Sequence, residues 1–407
     1  MRSLFNGALD NNELTTTSGH LAASSEGGWR SSMHFPQTET RRLMNKNILA
    51  VLGGAALAFT GAEASAQQVT LYGEIDASVD YVSDVGGRTQ YRAGSGLIDG
   101  SFWGLQGSED LGGGNGAIFR LERGFSVTSG EAFNDHPFYV GLQSERLGTI
   151  TLGRQYDTMH DYFAPFTLTG GAGGTAFAHP FDNDNANNSW LASNAVKFAS
   201  ATYGGFSAGA MYAFSNEAGR FAQNRAYGFG VHYEGGPFSA GVAWMHINGR
   251  GASSVGAYDT SVLPGAGLVP TEVAVQREDT IGAGMSYVLG DVTLGAAWSR
   301  SIHTGVSEAD GGAPLPSIAF SNYEVNALWQ VTPAFSLAGM YAYTGATSAH
   351  WHQGALQADY QLSKRTDVYT EAIYQRASSG AFAMINTCDP SGGRNQVLVA
   401  AGIRHRF

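Results

Sequence analysis

From Val69 to Val82 the chain alternates strictly between apolar and polar positions. Val69, Leu71, Ile75, Ala77, Val79 and Tyr81 fall on one face, and Thr70, Tyr72, Glu74, Asp76, Ser78 and Asp80 fall on the other. A period of two held over this length predicts a β-strand with one apolar and one wetted face. Its fourteen residues exceed the roughly 5 to 6 usual in soluble domains. The run from Gln396 to Phe407 repeats the pattern: Val397, Val399, Ala401, Ile403 and Phe407 share a face, while Arg404 and Arg406 point the other way. Similar runs recur between these ends, among them Phe138 to Leu142, Phe206 to Phe214, Tyr227 to Tyr233, Ile281 to Tyr287 and Tyr323 to Trp329, and they sum to about sixteen strands.

The connections between these runs alternate in length. Short ones carry turn chemistry, as in Asp110 to Gly116, Glu234 to Pro237 and Ser363 to Thr366. Long ones lie between them, as in Ser83 to Gly100, Ser215 to Asn224, Gly249 to Gln276 and Ala377 to Asn395. A transmembrane barrel sorts its connections in this way, with short turns at one rim and long loops at the other; a soluble sandwich has no reason to. Aromatic residues near strand ends, such as Trp244, Trp298, Trp329, Phe335 and Tyr343, suit the girdles of such a barrel.

Lipid offers the backbone no hydrogen-bond partner, so a membrane-spanning sheet must close on itself. A charge on its lipid face would cost about 2–4 kcal/mol at mid-depth, so Glu74, Asp76, Asp80, Arg120, Glu122, Glu324 and Asp359 are expected to point inward. About sixteen strands enclose an interior too wide for side chains to fill, which leaves an aqueous channel. The expected fold is therefore all-β, a transmembrane antiparallel β-barrel.

One connection is out of scale. Asp157 to Trp190 runs for 34 residues without periodicity, against about 4–6 for an ordinary loop. It is expected to fold back into the barrel and narrow the pore, so that residues 157–193 form a constriction loop within a barrel domain of residues 67–407. Asp157, Asp161, Asp182 and Asp184 on this loop, facing Arg120 and Arg154 of the wall, would set a transverse field that filters solutes by size and charge. Some of these aspartates would equally serve as loop anchors. Arg154 shares strand parity with Ile150 and Leu152, so it reaches the bore only if the strand bulges there. Glu74, Asp76, Asp80 and Glu122 are assigned to the lumen wall.

Composition narrows the picture further. Met44 opens a basic, apolar and small-residue succession ending at Ala64 and Ala66, the form of a secretory signal peptide over residues 44–66. Residues 1–43 then read as a mis-assigned start or a disordered extension. The formal net charge is −11, and removing residues 1–66 leaves it unchanged. That charge makes the chain a poor candidate for nucleic-acid binding, which needs a basic stripe, and together with the acidic loop it leans towards cation preference. A single cysteine, Cys388, rules out an intrachain disulfide. No apolar run after the signal is long enough for a membrane helix.

No catalytic or cofactor motif stands out. Glu74 and Asp76 could pair as catalytic carboxylates but fit a solvated wall better, and His350 and His352 share a strand face without a third metal ligand. There is no phosphate loop, nucleophile elbow or zinc-binding helix motif. The expected function is passive diffusion of small hydrophilic solutes and ions, with a substrate-specific channel or a barrel enzyme as alternatives.

The motifs also carry a resemblance. VTLYGEIDASVDYV after a signal peptide, WGLQGSEDLGGG, AIFRLERGF, FYVGLQSERLGTITLGRQYD, FAHPFDND, YQLSKRTDVY and a final GIRHRF together resemble the Gram-negative general porins over Gln67 to Phe407. Phe102 and Gln106, flanking Trp103, depart from that pattern where basic residues are frequent. The resemblance implies a homotrimer of 16-stranded barrels in the outer membrane, among its lipid and lipopolysaccharide, with the third long loop as the constriction. It also implies that Phe407 is the signal read by the outer-membrane assembly machinery. N-terminal sequencing of the exported protein is expected to begin at Gln67, and recovery of upstream residues would contradict the signal-peptide assignment.

Overall fold

A computed structural model describes residues 68–133, 136–249, 273–308 and 313–407; the leader and signal peptide read above lie outside the described residues. The strands in chain order are β1 (Gln68–Val85), β2 (Arg88–Ser95), β3 (Phe102–Gly112), β4 (Asn115–Phe125), β5 (Ala132–Phe133), β6 (Phe138–Ser144), β7 (Gly148–Gln155), β8 (Ala192–Ser200), β9 (Phe206–Ala213) and β10 (Ala226–Gly235). They continue with β11 (Phe238–Asn248), β12 (Val273–Ala274), β13 (Arg277–Leu289), β14 (Val292–Thr304), β15 (Ser307–Glu308), β16 (Ile318–Thr332), β17 (Phe335–Ala346), β18 (His350–Gln361), β19 (Thr366–Ala377) and β20 (Asn395–Arg406). A short helix, α1 (Thr158–Tyr162), lies between β7 and β8.

All but β2, β5, β12 and β15 pair in sequence order into a closed 16-stranded antiparallel barrel. The seam joins the last strand to the first, with Glu74 opposite Arg406, Asp76 opposite Arg404 and Val82 opposite Leu398. The strand parity read from the sequence is the parity of the wall: Val79 and Leu71 lie open on the outside while Glu74, Asp76 and Asp80 are buried on the inside. Phe407 continues the seam beyond β20, since its N–H donates to the Gly73 carbonyl at 3.1 Å and Gly73 N–H donates back at 3.3 Å.

The connection from Ser83 to Gly100 is more ordered than the sequence suggests. β1 runs on to Val85 and turns back through Gly86 and Gly87 into β2. Both glycines hold positive φ, 56° and 88°, the backbone that a two-residue hairpin turn demands. Asp84 Oδ1 braces the turn by accepting from Gly87 N–H at 2.7 Å.

The core of this protein lies inside the barrel. Two apolar clusters form between the inner wall and the loops that enter it: one joins Met159, Phe163 and Phe181 to Met245, Phe320 and Trp351, the other joins Leu168 and Phe177 to Val82, Ile373 and Leu398. The wall makes room for the third long loop by omitting side chains. Inward-facing Gly209 and Gly230 abut Tyr162, Gly282 abuts Phe163, and Gly241 and Gly284 abut Phe166, so closely that a Cβ on any of them would collide.

Gly230→Leu is therefore expected to destabilise the folded barrel by about 1–3 kcal/mol through overpacking. Gly354→Leu, on the outer face with nothing near the added carbon, should be close to neutral. Thermal unfolding in detergent checks both, and equal melting of the two variants would contradict the loop's placement.

A buried loop facing an arginine-lined wall

The third long loop is bound to the wall along its whole course. Thr158 Oγ1 donates to the Trp244 carbonyl at 2.9 Å, Asn326 Nδ2 to the Phe166 carbonyl at 2.9 Å, and Leu168 N–H to Glu324 Oε1 at 2.6 Å. Farther along, Gln357 Nε2 donates to the Ala172 carbonyl at 3.0 Å and Gln353 Nε2 to the Ala178 carbonyl at 3.1 Å. Thr175 N–H reaches the Leu97 carbonyl at 2.8 Å, which ties the loop to the segment after β2. The residues that keep contact with water are few: Asp161, Pro165, Gly170 to Ala172, Ser189 and Trp190.

The four loop aspartates are spent on these anchors. Asp157 is the N-cap of α1, accepting from Met159 N–H at 2.5 Å and His160 N–H at 3.2 Å, and Asn185 Nδ2 donates to its second oxygen. Asp182 accepts from Asn187 N–H at 2.9 Å and Ser189 N–H at 3.0 Å. Asp184 lies 2.8 Å from His179 Nδ1 and also accepts from Ser299 and Asn322 of the wall. Asp161 pairs with Lys197 Nζ at 2.7 Å. Asp157, Asp182 and Asp184 are fully buried, so their charge does not face the bore directly.

Burial sets their titration. It pushes Asp157 up to about 6 and, aided by neighbouring Asp184, Asp182 up to about 7. Burial acts on Asp161 and Asp184 in the same direction, but Lys197 and His160 hold the first, and His179 with Ser299 the second, below the usual aspartate value. His179 sits between Asp184 and Glu324 Oε2, the latter at 3.2 Å from its Nε2. Although burial opposes its charge, these two carboxylates raise it to about 10.

Away from the loop's attachments, the inner wall carries arginines. Arg120 Nε donates to Tyr72 Oη at 3.0 Å and to Glu122 Oε1 at 2.7 Å, with His136 Nδ1 at 3.3 Å from the other Glu122 oxygen. Arg404 and Arg406 each lie 3.0 Å from a carboxylate oxygen of Asp367, and Arg406 Nε lies 2.8 Å from Glu74. Arg92 pairs with Asp80 at 3.0 Å. Asp76 is withdrawn from water: it accepts from Ile98 N–H at 2.8 Å, Asp99 N–H at 3.0 Å and Tyr369 Oη–H at 2.6 Å.

Arg154 lies elsewhere. The register shift here falls on β8, where Ala195 and Ala192 face Gly153 and Gln155; β7 keeps its alternation, so Arg154 stands opposite Phe138, on the face of Leu152, while Thr151 and Gln155 bond each other inside. Lys197 supplies the inward cation near this point; its parity against outward Val196 and Phe198 was the signal for it. Arg404 and Arg406 were readable by the same parity as inward residues, whereas Arg92 lay within a segment taken for loop and His179 had no signal. His350 and His352 point outward beside Tyr341 and Tyr343, with Tyr341 Oη 2.6 Å from His352 Nδ1. No cluster of metal-ligating side chains occurs among the described residues.

Comparison with known proteins adds an independent line. A model of the Gram-negative porin family matches residues 51–380. An outer membrane porin protein of Bordetella pertussis is 29% identical over 418 aligned residues, covering 89% of this chain and 100% of that protein. Outer membrane porin protein 32 of Delftia acidovorans is 26% identical, with the same coverage of 89% and 100%. The solved anion-selective porin from Comamonas acidovorans superposes with a TM-score of 0.68 at 25% identity, covering 84% of this chain and 100% of that one.

The loop's titration has a readable consequence. Asp157 and Asp182 are raised in the fold, so between about pH 4 and 7 the folded loop holds protons that the unfolded chain releases. Their contribution to stability is full at the acid end and lost as pH rises through about 6 and 7. His179 has the same sign, its contribution full below about 6.5 and lost as pH rises from there to about 10, and Asp161 and Asp184 lose their contribution only on acidification below the ordinary aspartate range. Amide hydrogen exchange across residues 157–190, corrected for intrinsic rates, is expected to be slower at pH 5 than at pH 8, with Asp182→Asn reducing the difference. Faster exchange at pH 5 would contradict this assignment.

Proposed function

The chain belongs to the Gram-negative porin family, and from that premise we propose that its filter is an arginine-lined strip of wall facing a loop whose own charges are hidden. The protein is an outer-membrane porin, a water-filled channel for passive diffusion of small hydrophilic solutes and ions. The filter reading takes the third long loop as the constriction and Arg92, Arg120, Arg404 and Arg406 as the groups that solutes meet.

The observation that carries it is an asymmetry within the ion pairs. The Arg406 side chain is 41% exposed against 6% for Glu74 and 2% for Asp367; Arg120 is 17% exposed against 0% for Glu122, and Arg92 22% against 0% for Asp80. In each pair the arginine side chain is the more exposed partner and the carboxylate the more buried one. Screening limits exposed charges to about 8–10 Å at physiological salt, so a passing ion responds to the nearer cation. This supports anion preference, the opposite of what the net charge of −11 suggests, and it agrees with the selectivity named for the Comamonas acidovorans porin.

Several finer points belong to the same proposal. Residues 44–66 act as the export signal, the mature barrels form a homotrimer among outer-membrane lipid and lipopolysaccharide, and Phe407 is read by the assembly machinery. The channel reading involves no turnover and no cofactor.

Reversal potential across a planar bilayer under a potassium chloride gradient tests the filter. The native protein is expected to give the sign of chloride preference, and Arg406→Gln and Arg120→Gln, in barrels that still resist detergent unfolding, should each shift it towards potassium. A native reversal potential of the cation-selective sign would overturn the proposal.

A further inference from the structure

The last long loop, residues 378–394 between β19 and β20, does not project from the rim. Phe382, Ala383, Ile385, Cys388 and Ser391 are buried, and what covers them is the inside of the barrel. Inward-facing side chains of three successive strands grip its backbone: Trp351 Nε1 donates to the Phe382 carbonyl at 2.9 Å, Met384 N–H to Gln375 Oε1 at 2.6 Å, and Ile385 N–H to Gln396 Oε1 at 2.8 Å.

The same loop is joined to the third long loop. The Phe181 ring packs edge-on against Trp351 at 5.4 Å and against Phe382 at 6.0 Å between centroids. Asn386 Nδ2 donates to the Thr175 carbonyl at 2.9 Å. On its other side it holds the first hairpin, with Gly86 N–H donating to the Pro390 carbonyl at 2.9 Å and Gly392 N–H to Asp84 Oδ1 at 3.0 Å. An indole pointing into a hydrated lumen would leave a large apolar face in water; here it is wholly covered, by residues of both loops.

We propose that the last long loop is a second constriction element, locked to the third long loop through Phe181, Trp351 and Phe382, and that the two loops together set the size limit of the channel. This rests on the channel reading. Phe382 acts as a positioning residue: it touches no solute, and it fixes where the loop pair stands in the bore. Loss of the lock is expected to widen the opening at the long-loop end and to free the third loop on the side nearest β18.

Cys388 provides a probe of this arrangement that needs no current. It is the sole cysteine of the chain, fully buried, and burial pushes its thiol up to about 12. With folded protein in lipid vesicles, a charged, membrane-impermeant thiol reagent is expected to leave the native Cys388 unmodified and to label it in Phe382→Ser. In bilayers, replacing residues 380–391 by a short Gly-Ser linker should raise the single-channel conductance and shift the exclusion size for neutral polyethylene glycols upward.

Rapid labelling of Cys388 in the folded native protein would overturn the proposal. So would a folded linker variant with unchanged conductance and unchanged exclusion size. If native protein gave no conductance at all, the channel reading would fail, whereas the labelling result would still decide where the last loop lies.

Discussion

The constraint on which this structure depends is that a sheet in lipid can leave no backbone hydrogen bond unmade. The seam between β1 and β20 meets it, running from Glu74 opposite Arg406 to Val82 opposite Leu398. The wet side of that seam carries an ion network in which Arg404 and Arg406 are shared among Glu74, Asp359 and Asp367. The charges that a lipid-facing strand could not bear are thereby concentrated inside, where they join the first strand to the last three and line the water path.

Closure creates a second problem, a lumen too wide to be selective. The protein solves it by moving its apolar core inward. Near the turn end the inner face carries polar groups such as Arg406, Asp367 and Asp359, whereas towards the long loops it turns apolar, with Phe320, Trp351, Ile373 and Leu398. Loop residues cover these side chains, so the barrel behaves as a membrane protein outside and as a packed globular interior in its upper lumen. Glycines where Tyr162, Phe163 and Phe166 lie against the wall give the loop its depth. Acidic groups used as caps and anchors, such as Asp157 and Asp182, contribute rigidity to the loop rather than field to the bore.

Much of the wall was legible because alternation is a local property of the chain. The parity of Val69 to Val82 and the sorting of short and long connections gave closure, strand number and the inward set around Glu74 and Arg120. The length of the segment after Tyr156 was enough to single out the loop that packs against the inner wall. What parity cannot give is partnership: nothing local distinguishes an aspartate that caps α1 from one that faces water. Whether a bulge would turn Arg154 inward depended on pairing with β8, and the irregularity falls on β8 itself, so Arg154 keeps the outward parity it shares with Leu152. The segment from Ala377 to Asn395 read as an external loop, yet its signal lay in other strands, where Trp351 and Leu398 occupy inward positions that a hydrated lumen would not favour.

Single-channel recording in planar bilayers tests the central claim, a closed wall around continuous water, most directly. Folded protein that still resists detergent unfolding is predicted to insert in discrete conductance steps whose size grows in proportion to salt concentration. Folded, inserted protein that conducts nothing at any salt concentration would contradict it.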